Sequence, residues 1–310
     1  MPDQLPNASA AASQLSTVRD FLRWALSEFR RARVVHGHGA TSAIDEAAFL
    51  ILESLKLPVD DINPWLDARL LDHERAALAG IIRARIETRT PAAYLVQRAY
   101  IHGLSFHVDE RVIVPRSYIG ELMFSGIFGG EDAPLIEDVS QVTSVLDLCT
   151  GSGCLAIIAS GIFPEAEVDA ADLSPGALEV ARINLAEHDV EDRITLLEGD
   201  LFEAVEGRTY DLIISNPPYV AAPEVQAFPP EYGHEPIMAH LGGDDGLDIV
   251  RRILAEAPDR LNPGGGLLCE IGTGRERLVD EYPHLDFLWL DTEESEGEVF
   301  WITREQLLES

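Results

Sequence analysis

The chain has 310 residues, 46% of them hydrophobic, enough for two domains and a large core, and no run approaches the roughly 18 apolar residues that cross a bilayer. Three cysteines (Cys149, Cys154, Cys269) without Cys-x-x-Cys spacing argue against a disulfide framework and point to a reduced, cytoplasmic protein. The net charge of −31 sits almost wholly in residues 91–310, which carry 42 acids and 12 bases against 12 and 11 in residues 1–90; a field of that sign disfavours naked nucleic acid and attracts a basic partner, with salt adaptation as the other source of such acidity.

Residues 1–17 are rich in Ala, Ser, Gln, Asn and Pro and lack a basic stretch leading into an apolar one. They are expected to be a disordered lead-in rather than a signal peptide. Val18, Phe21, Leu22, Ala25, Leu26 and Phe29 recur at helical spacing and predict one buried face. Further helices are predicted over Ser42–Leu55 and Asp72–Ile86, so residues 18–90 read as a small helical bundle. The period then changes. Residues 91–117 read as a β-hairpin linker, with strands at Tyr100-Ile101 and Arg111–Val114 and turn candidates at Gly103 and Asp109-Glu110. A helix over Tyr118–Phe128 opens the last domain, 118–310.

From Ser144 onward strands and helices alternate. Strands are predicted at Ser144–Leu148, Glu167–Ala171, Ile194–Leu197, Asp211–Ser215, Leu267–Ile271, Phe287–Leu290 and Val299–Thr303. Helices are predicted at Cys154–Phe163, Ser174–His188 and Gly246–Leu261; Ser174-Pro175 supplies a hydroxyl cap and a first-turn proline. This is the rhythm of an α/β, mostly parallel, doubly wound sheet, which binds ligands at the carboxyl ends of its strands.

Three strand ends carry candidate chemistry. Val145-Leu-Asp-Leu-Cys-Thr-Gly-Ser-Gly153 is an apolar strand running into a glycine turn that opens a helix. Gly151 and Gly153 let backbone approach a ligand, and the helix start offers unpaired N–H groups. A tight βα turn with no ligand would look the same, and the dinucleotide pattern G-x-G-x-x-G is absent. Asp172 ends the next strand, where an acid accepts hydrogen bonds from ribose hydroxyls, and Asp200 ends the third, where an adenine ring would lie. Either acid alone reads equally as a helix cap; on successive strand ends they outline a nucleoside pocket. The fourth strand ends in Asn216-Pro217-Pro218-Tyr219. Two prolines remove two N–H donors and stiffen the backbone. The Asn216 side-chain oxygen and the Pro217 carbonyl are then free to accept the N–H groups of a planar amide or amine. Such a grip points the nitrogen at a sulfonium methyl, and Tyr219 would pack against the acceptor plane.

Asp147–Gly153, Asp172, Asp200 and Asn216–Tyr219 together resemble the class I methyltransferases with an Asn-Pro-Pro-Tyr motif. Pro91–Leu95, Val112–Ser117 with Glu121, and His234-Glu235-Pro236 followed by Gly242–Leu247 resemble one group among them, the protein N(5)-glutamine methyltransferases, over nearly the whole chain from residue 18. Cys149 in the glycine turn and Val-Pro-Arg-Ser before Tyr118 lean toward the branch acting on large-subunit ribosomal protein L-three, with the release-factor branch as the alternative. The resemblance implies a seven-stranded sheet and S-adenosylmethionine as cofactor, with no metal, membrane or direct nucleic-acid partner. It implies that Cys149, Thr150, Gly151, Ser152 and Gly153 line the methionine end of the cofactor. Asp172 would then hold the ribose, Asp200 and Leu201 flank adenine, Asn216 touch the cofactor too, and Asn216, Pro217, Pro218 and Tyr219 hold the glutamine of a basic ribosomal protein. The helical bundle would recognise that protein. A nucleic-acid amino-methyltransferase or a non-catalytic ribosome-assembly factor would share parts of this pattern.

Overall fold

Apolar side chains recurring every three to four positions make the first hundred residues helical. The computed structural model describes residues 8–37, 39–40, 42–130, 133–292 and 295–309. They fall into two units, one reaching to Ala99 and including Pro229–His234, the other comprising Tyr100–Phe228 and Glu235–Ser310.

The first unit contains α1 (Ala8–Gln14), α2 (Val18–Ala32), α3 (Ala43–Leu55), α4 (Asp72–Thr88) and α5 (Ala92–Val96). The disordered lead-in is therefore corrected over Ala8–Gln14, where Ala11 is buried in the same cluster as Val18 and Phe21; a short alanine-rich stretch pays little side-chain entropy to become helical. Residues 1–7 lie outside the described residues. Thr17 starts α2 with a reciprocal cap: its Oγ1 accepts from the Asp20 N–H at 3.2 Å, and Asp20 accepts from the Thr17 N–H at 3.0 Å. Beside the apolar core lies a polar one. The Arg85 guanidinium is fully buried and donates to Glu46 at 2.7 and 3.3 Å and to the Val35 carbonyl at 2.8 Å. Glu231, equally buried, accepts from the Val35 N–H at 3.0 Å and from Arg89 at 3.2 Å. That carboxylate explains why six residues distant in sequence belong to this unit.

The linker also differs from expectation. Its hairpin is β1 (Ala99–Ile101) and β2 (Leu104–Phe106), closed by His102-Gly103. Arg111–Val114 is not a strand, because its donors go elsewhere: Val112 N–H to the Asp109 carbonyl at 3.1 Å, and Val114 N–H to the Glu235 carboxylate at 2.9 Å. The boundary between the units falls inside β1, and α5 occupies part of the segment read as linker.

In the second unit α6 (Tyr118–Phe124) precedes β3 (Ser144–Leu148), α7 (Cys154–Ile162), β4 (Glu167–Asp172), α8 (Pro175–Glu187), β5 (Ile194–Glu198) and β6 (Tyr210–Ser215). After these come α9 (Ala222–Val225), α10 (Asp248–Arg260), β7 (Leu261–Glu270), α11 (Arg275–Glu281), β8 (Leu288–Asp291), β9 (Glu296–Thr303) and α12 (Arg304–Leu308). The sheet has seven strands in the order β5-β4-β3-β6-β7-β9-β8, parallel from β5 to β7 and reversed at β9. Its strands are apolar on both faces because both faces are covered. Val145, Leu212, Ile214 and Leu268 join the cluster beneath α6 and α7, while Leu146, Ile213, Leu267 and Cys269 join the one beneath α10 and α11. The chain winds outward from β3 to β5, then returns to β6 beside β3, so the carboxyl ends of β3 and β6 diverge at a topological switch point.

Replacing Arg85 with Ala leaves Glu46 buried without its cation and should destabilise the first unit by about 3–5 kcal/mol. Urea unfolding followed by hydrogen exchange on α2–α4 measures this; a loss below about 1 kcal/mol would show that the buried pair contributes no more than an exposed one.

Candidate functional site

Parallel pairing brings Leu148 opposite Ser215, and the Ser215 hydroxyl donates to the Leu148 carbonyl at 3.0 Å. The residues that follow each strand, the glycine turn and the Asn-Pro-Pro-Tyr segment, therefore leave the sheet side by side. They border a cavity of about 280 Å³, near the lower end of the size that small-molecule sites occupy. Cys149 and Gly151 line it from the glycine turn, Asp172 and Leu173 from the end of β4, Asp200 and Leu201 from the end of β5, and Asn216 and Pro218 from the end of β6. Four sequence-predicted strand ends thus meet in one place.

The rest of the glycine turn stands behind the cavity wall. Thr150 Oγ1 donates to Asp147 at 2.6 Å. The Ser152 carbonyl accepts from Asn184 Nδ2 at 2.8 Å, and Gly153 lies against Ala181 of α8. Asp147 is fully buried; its Oδ2 also accepts the Ala156 N–H at 3.1 Å, while its Oδ1 finds no partner among the described residues. Burial pushes this carboxyl up to about 7, helped by the nearby charge of Asp172. Asp172 closes the turn from the other side, accepting the Gly151 N–H and the Ser174 N–H, each at 2.8 Å. Burial raises its carboxyl too. Each of its oxygens keeps a lone pair for a further donor. Cys149 holds a left-handed backbone (φ 60°), and burial pushes its thiol far up. Asp200 is half exposed and ion-paired with Arg252 at 2.9 Å.

Tyr219 does not face the cavity. Its ring packs on Gly272, where an added Cβ would lie 2.7 Å from the ring. Its hydroxyl donates to Glu270 at 3.0 Å. The ring borders a neighbouring recess with Thr273 and Arg277, so its expected packing against an acceptor is replaced by packing against the protein. Pro217 is buried between Asn216 and Pro218. Glu270, at the end of β7, has no exposure and collects donors: Ser117 Oγ at 2.7 Å, the Tyr118 N–H at 2.9 Å and Tyr219. Burial pushes its carboxyl up to about 7 against the lowering by those hydroxyls, and its charge together with burial raises the Tyr219 phenol.

Sequence reasoning missed several residues of this site. Arg111, Val112 and Ile113 line the cavity where a strand was expected, as do Pro236, Met238 and Leu241. Asn184, fully buried in α8, pins the glycine turn and bridges to the His107 backbone at 2.6 and 3.0 Å. Glu270 had a legible signal: a lone acid ending the apolar run Leu267-Leu268-Cys269. Among the described residues no cluster of His, Cys, Asp or Glu is placed to hold a metal, and no helix is long and apolar enough to cross a membrane.

Residues 133–228 match the methyltransferase small domain. Over 301 residues the chain is 52% identical to the ribosomal protein uL3 glutamine methyltransferase of Bradyrhizobium diazoefficiens, covering 97% of this chain and 94% of that one. Proteins of the same description from Bordetella pertussis and Neisseria meningitidis serogroup B are 50% and 51% identical, over 95% and 96% of this chain and 97% and 96% of theirs.

Asp147 and Glu270 hold protons in the folded chain that they release in the unfolded one between their ordinary values, 3.8 and 4.5, and about 7. Each therefore makes stability fall as pH rises through that window, by up to about 1.4 kcal/mol per pH unit. Asp147→Asn imitates the protonated acid, so its melting temperature should gain on that of the unmodified chain between about pH 4 and pH 7. Parallel melting profiles would show that Asp147 does not titrate there.

Proposed function

The chain belongs to the ribosomal protein uL3 glutamine methyltransferases, and from that premise we propose that it transfers a methyl group from S-adenosylmethionine to the side-chain amide nitrogen of a glutamine in uL3. The observation that carries this reading is the meeting of the glycine turn and Asn216 in one cavity at the β3/β6 switch point. The residues fit the cofactor. A Cβ on Gly151 would meet nothing within 4 Å, so the turn faces open space as a ligand-binding turn must. Asp172 keeps acceptor capacity for hydroxyl groups, and Leu201, Met238 and Ile249 offer an apolar slot for a planar base.

When bound, S-adenosylmethionine supplies an electrophilic methyl group on a sulfonium. The chain supplies orientation. Cys149 and Gly151 would border its methionine end, with Thr150, Ser152 and Gly153 holding the turn from behind. Asp172 would take the ribose hydroxyls, and Asp200 with Leu201 the base. An amide nitrogen is a weak nucleophile because its lone pair is delocalised into the carbonyl. The Asn216 side-chain oxygen and the Pro217 carbonyl are the acceptors for its two N–H groups, placing the nitrogen and favouring the positive charge that develops on it. The extra proton then passes to water, so no side chain needs to act as a strong base. Pro217 and Pro218 stiffen this grip, and Tyr219 anchors it through Glu270. The acidic stretch 91–310 suits a basic ribosomal substrate rather than naked nucleic acid, and such a substrate puts the reaction in the cytoplasm.

Asn216→Ala should keep cofactor binding within about threefold by calorimetry and lower methyl transfer about 10²–10³-fold; equal turnover would remove Asn216 from its role. Offered separately to uL3 and a release factor with labelled S-adenosylmethionine, the chain should label a glutamine of uL3. Label on the release factor alone would overturn the substrate, and label on neither the reaction itself.

A further inference from the structure

The segment before α6, Val114-Pro115-Arg116-Ser117, takes no part in the chemistry above, yet two adjacent residues of it grip two buried carboxylates. Ser117 Oγ donates to Glu270 at 2.7 Å, and Glu270 accepts the Tyr219 hydroxyl at 3.0 Å with its other oxygen. Arg116 makes a two-pronged contact with Glu235, both bonds at 2.8 Å, the geometry that fixes orientation as well as distance. Glu235 also accepts the Val114 N–H at 2.9 Å and lies 2.9 Å from His240 Nε2.

Both grips end on the chain leaving the Asn-Pro-Pro-Tyr turn, by different routes. One reaches it through the Tyr219 side chain. The other reaches it through backbone: Val220 N–H donates to the His240 carbonyl at 2.8 Å, Gly242 N–H to the Val220 carbonyl at 2.9 Å, and Ala222 N–H to the Gly243 carbonyl at 2.9 Å. The second route also builds the cavity wall, since Pro236, Met238, Ala239 and Leu241 line the cavity together with Asp172 and Asn216, whereas Ser117, Tyr219 and Glu270 do not line it.

We propose that Arg116 and Ser117 are positioning residues that form a two-armed brace, Ser117 setting the acceptor turn through Glu270 and Tyr219, and Arg116 setting the cofactor wall through Glu235. The two arms act on different steps. Glu270 receives neutral donors only, Ser117 and the Tyr118 N–H on one oxygen and Tyr219 on the other, so removing the Ser117 hydroxyl leaves the first oxygen held by the Tyr118 N–H alone and loosens Tyr219 without opening the cavity. Weakening Glu235 frees residues 236–241 and opens the cavity itself. A merely structural pair would affect binding and turnover together.

This assignment rests on the methyl-transfer reading for its kinetic half, and the test separates the two. The full chain, Ser117→Ala, Ser117→Thr, Tyr219→Phe, the Ser117→Ala/Tyr219→Phe double variant and Glu235→Gln are compared by S-adenosylmethionine calorimetry, transfer to uL3 and thermal melting. Ser117→Ala should lower kcat about tenfold with cofactor Kd within about twofold, the factor one hydrogen bond to a charged group carries. Ser117→Thr should restore most of the rate, and the double variant should be no slower than the slower single one. Glu235→Gln should weaken cofactor binding about tenfold, a readout independent of turnover. The Tyr219 ring-carbon resonance, identified by its loss in Tyr219→Phe, should shift in Ser117→Ala and return in Ser117→Thr even if uL3 accepts no methyl. An unmoved resonance, or a Ser117→Thr variant as impaired as Ser117→Ala, overturns the first arm. Unweakened cofactor binding in Glu235→Gln overturns the second.

Discussion

The site depends on one pairing, β3 beside β6, closed at its carboxyl end by the Ser215 hydroxyl on the Leu148 carbonyl. Strand β3 feeds its chain outward toward β4 and β5, while β6 feeds the other half of the sheet. Loops at that reversal diverge rather than cross, which leaves space between them. The glycine turn and the Asn-Pro-Pro-Tyr segment border that space because they are the next residues on the two strands. Every further feature of the site supports those two loops.

The support is built from acceptors. Asp147, Asp172, Glu235 and Glu270 each collect more than one donor: the Thr150 hydroxyl and Ala156 N–H, the Gly151 and Ser174 N–H groups, the Val114 N–H and Arg116, the Ser117 and Tyr219 hydroxyls. A carboxylate joins two or three donors where an amide or hydroxyl would join fewer, so a few acids rigidify loops that lack regular structure. The cost is desolvation, visible in Asp147 and Glu270, both pushed up to about 7. In the first unit the donors are cations, as Arg116 is for Glu235: Arg85 and Arg89 hold Glu46 and Glu231.

Several positions were legible because their signals are local. The strand Ser144–Leu148 has its predicted ends, and α2 and α3 begin where Thr17 and Ser42 cap them. Cys149, Gly151, Asp172, Asp200, Leu201 and Asn216 each follow an apolar strand, and strand ends in an alternating β/α pattern point one way. Other readings failed where a distant partner overrode the local pattern. In Arg111–Val114 the last three residues are β-branched and apolar, yet Glu235, 121 residues beyond Val114, takes the donor a ladder would have used. Residues 229–234 carry no local signal that ties them to the helical unit, yet Glu231 buries itself among its residues.

The sequence by itself determined the layered α/β plan, the order of its loops and the acceptor-rich Asn-Pro-Pro-Tyr turn, because periodicity, caps and prolines act within a few residues. Tertiary structure alone decided which side chains face the cavity. Tyr219 is turned to Glu270 and Gly272, while Met238 and Leu241, unmarked in sequence, become wall. The physical reason is that a buried polar group must find its partner wherever the fold supplies one, and those partners lie tens to hundreds of residues away.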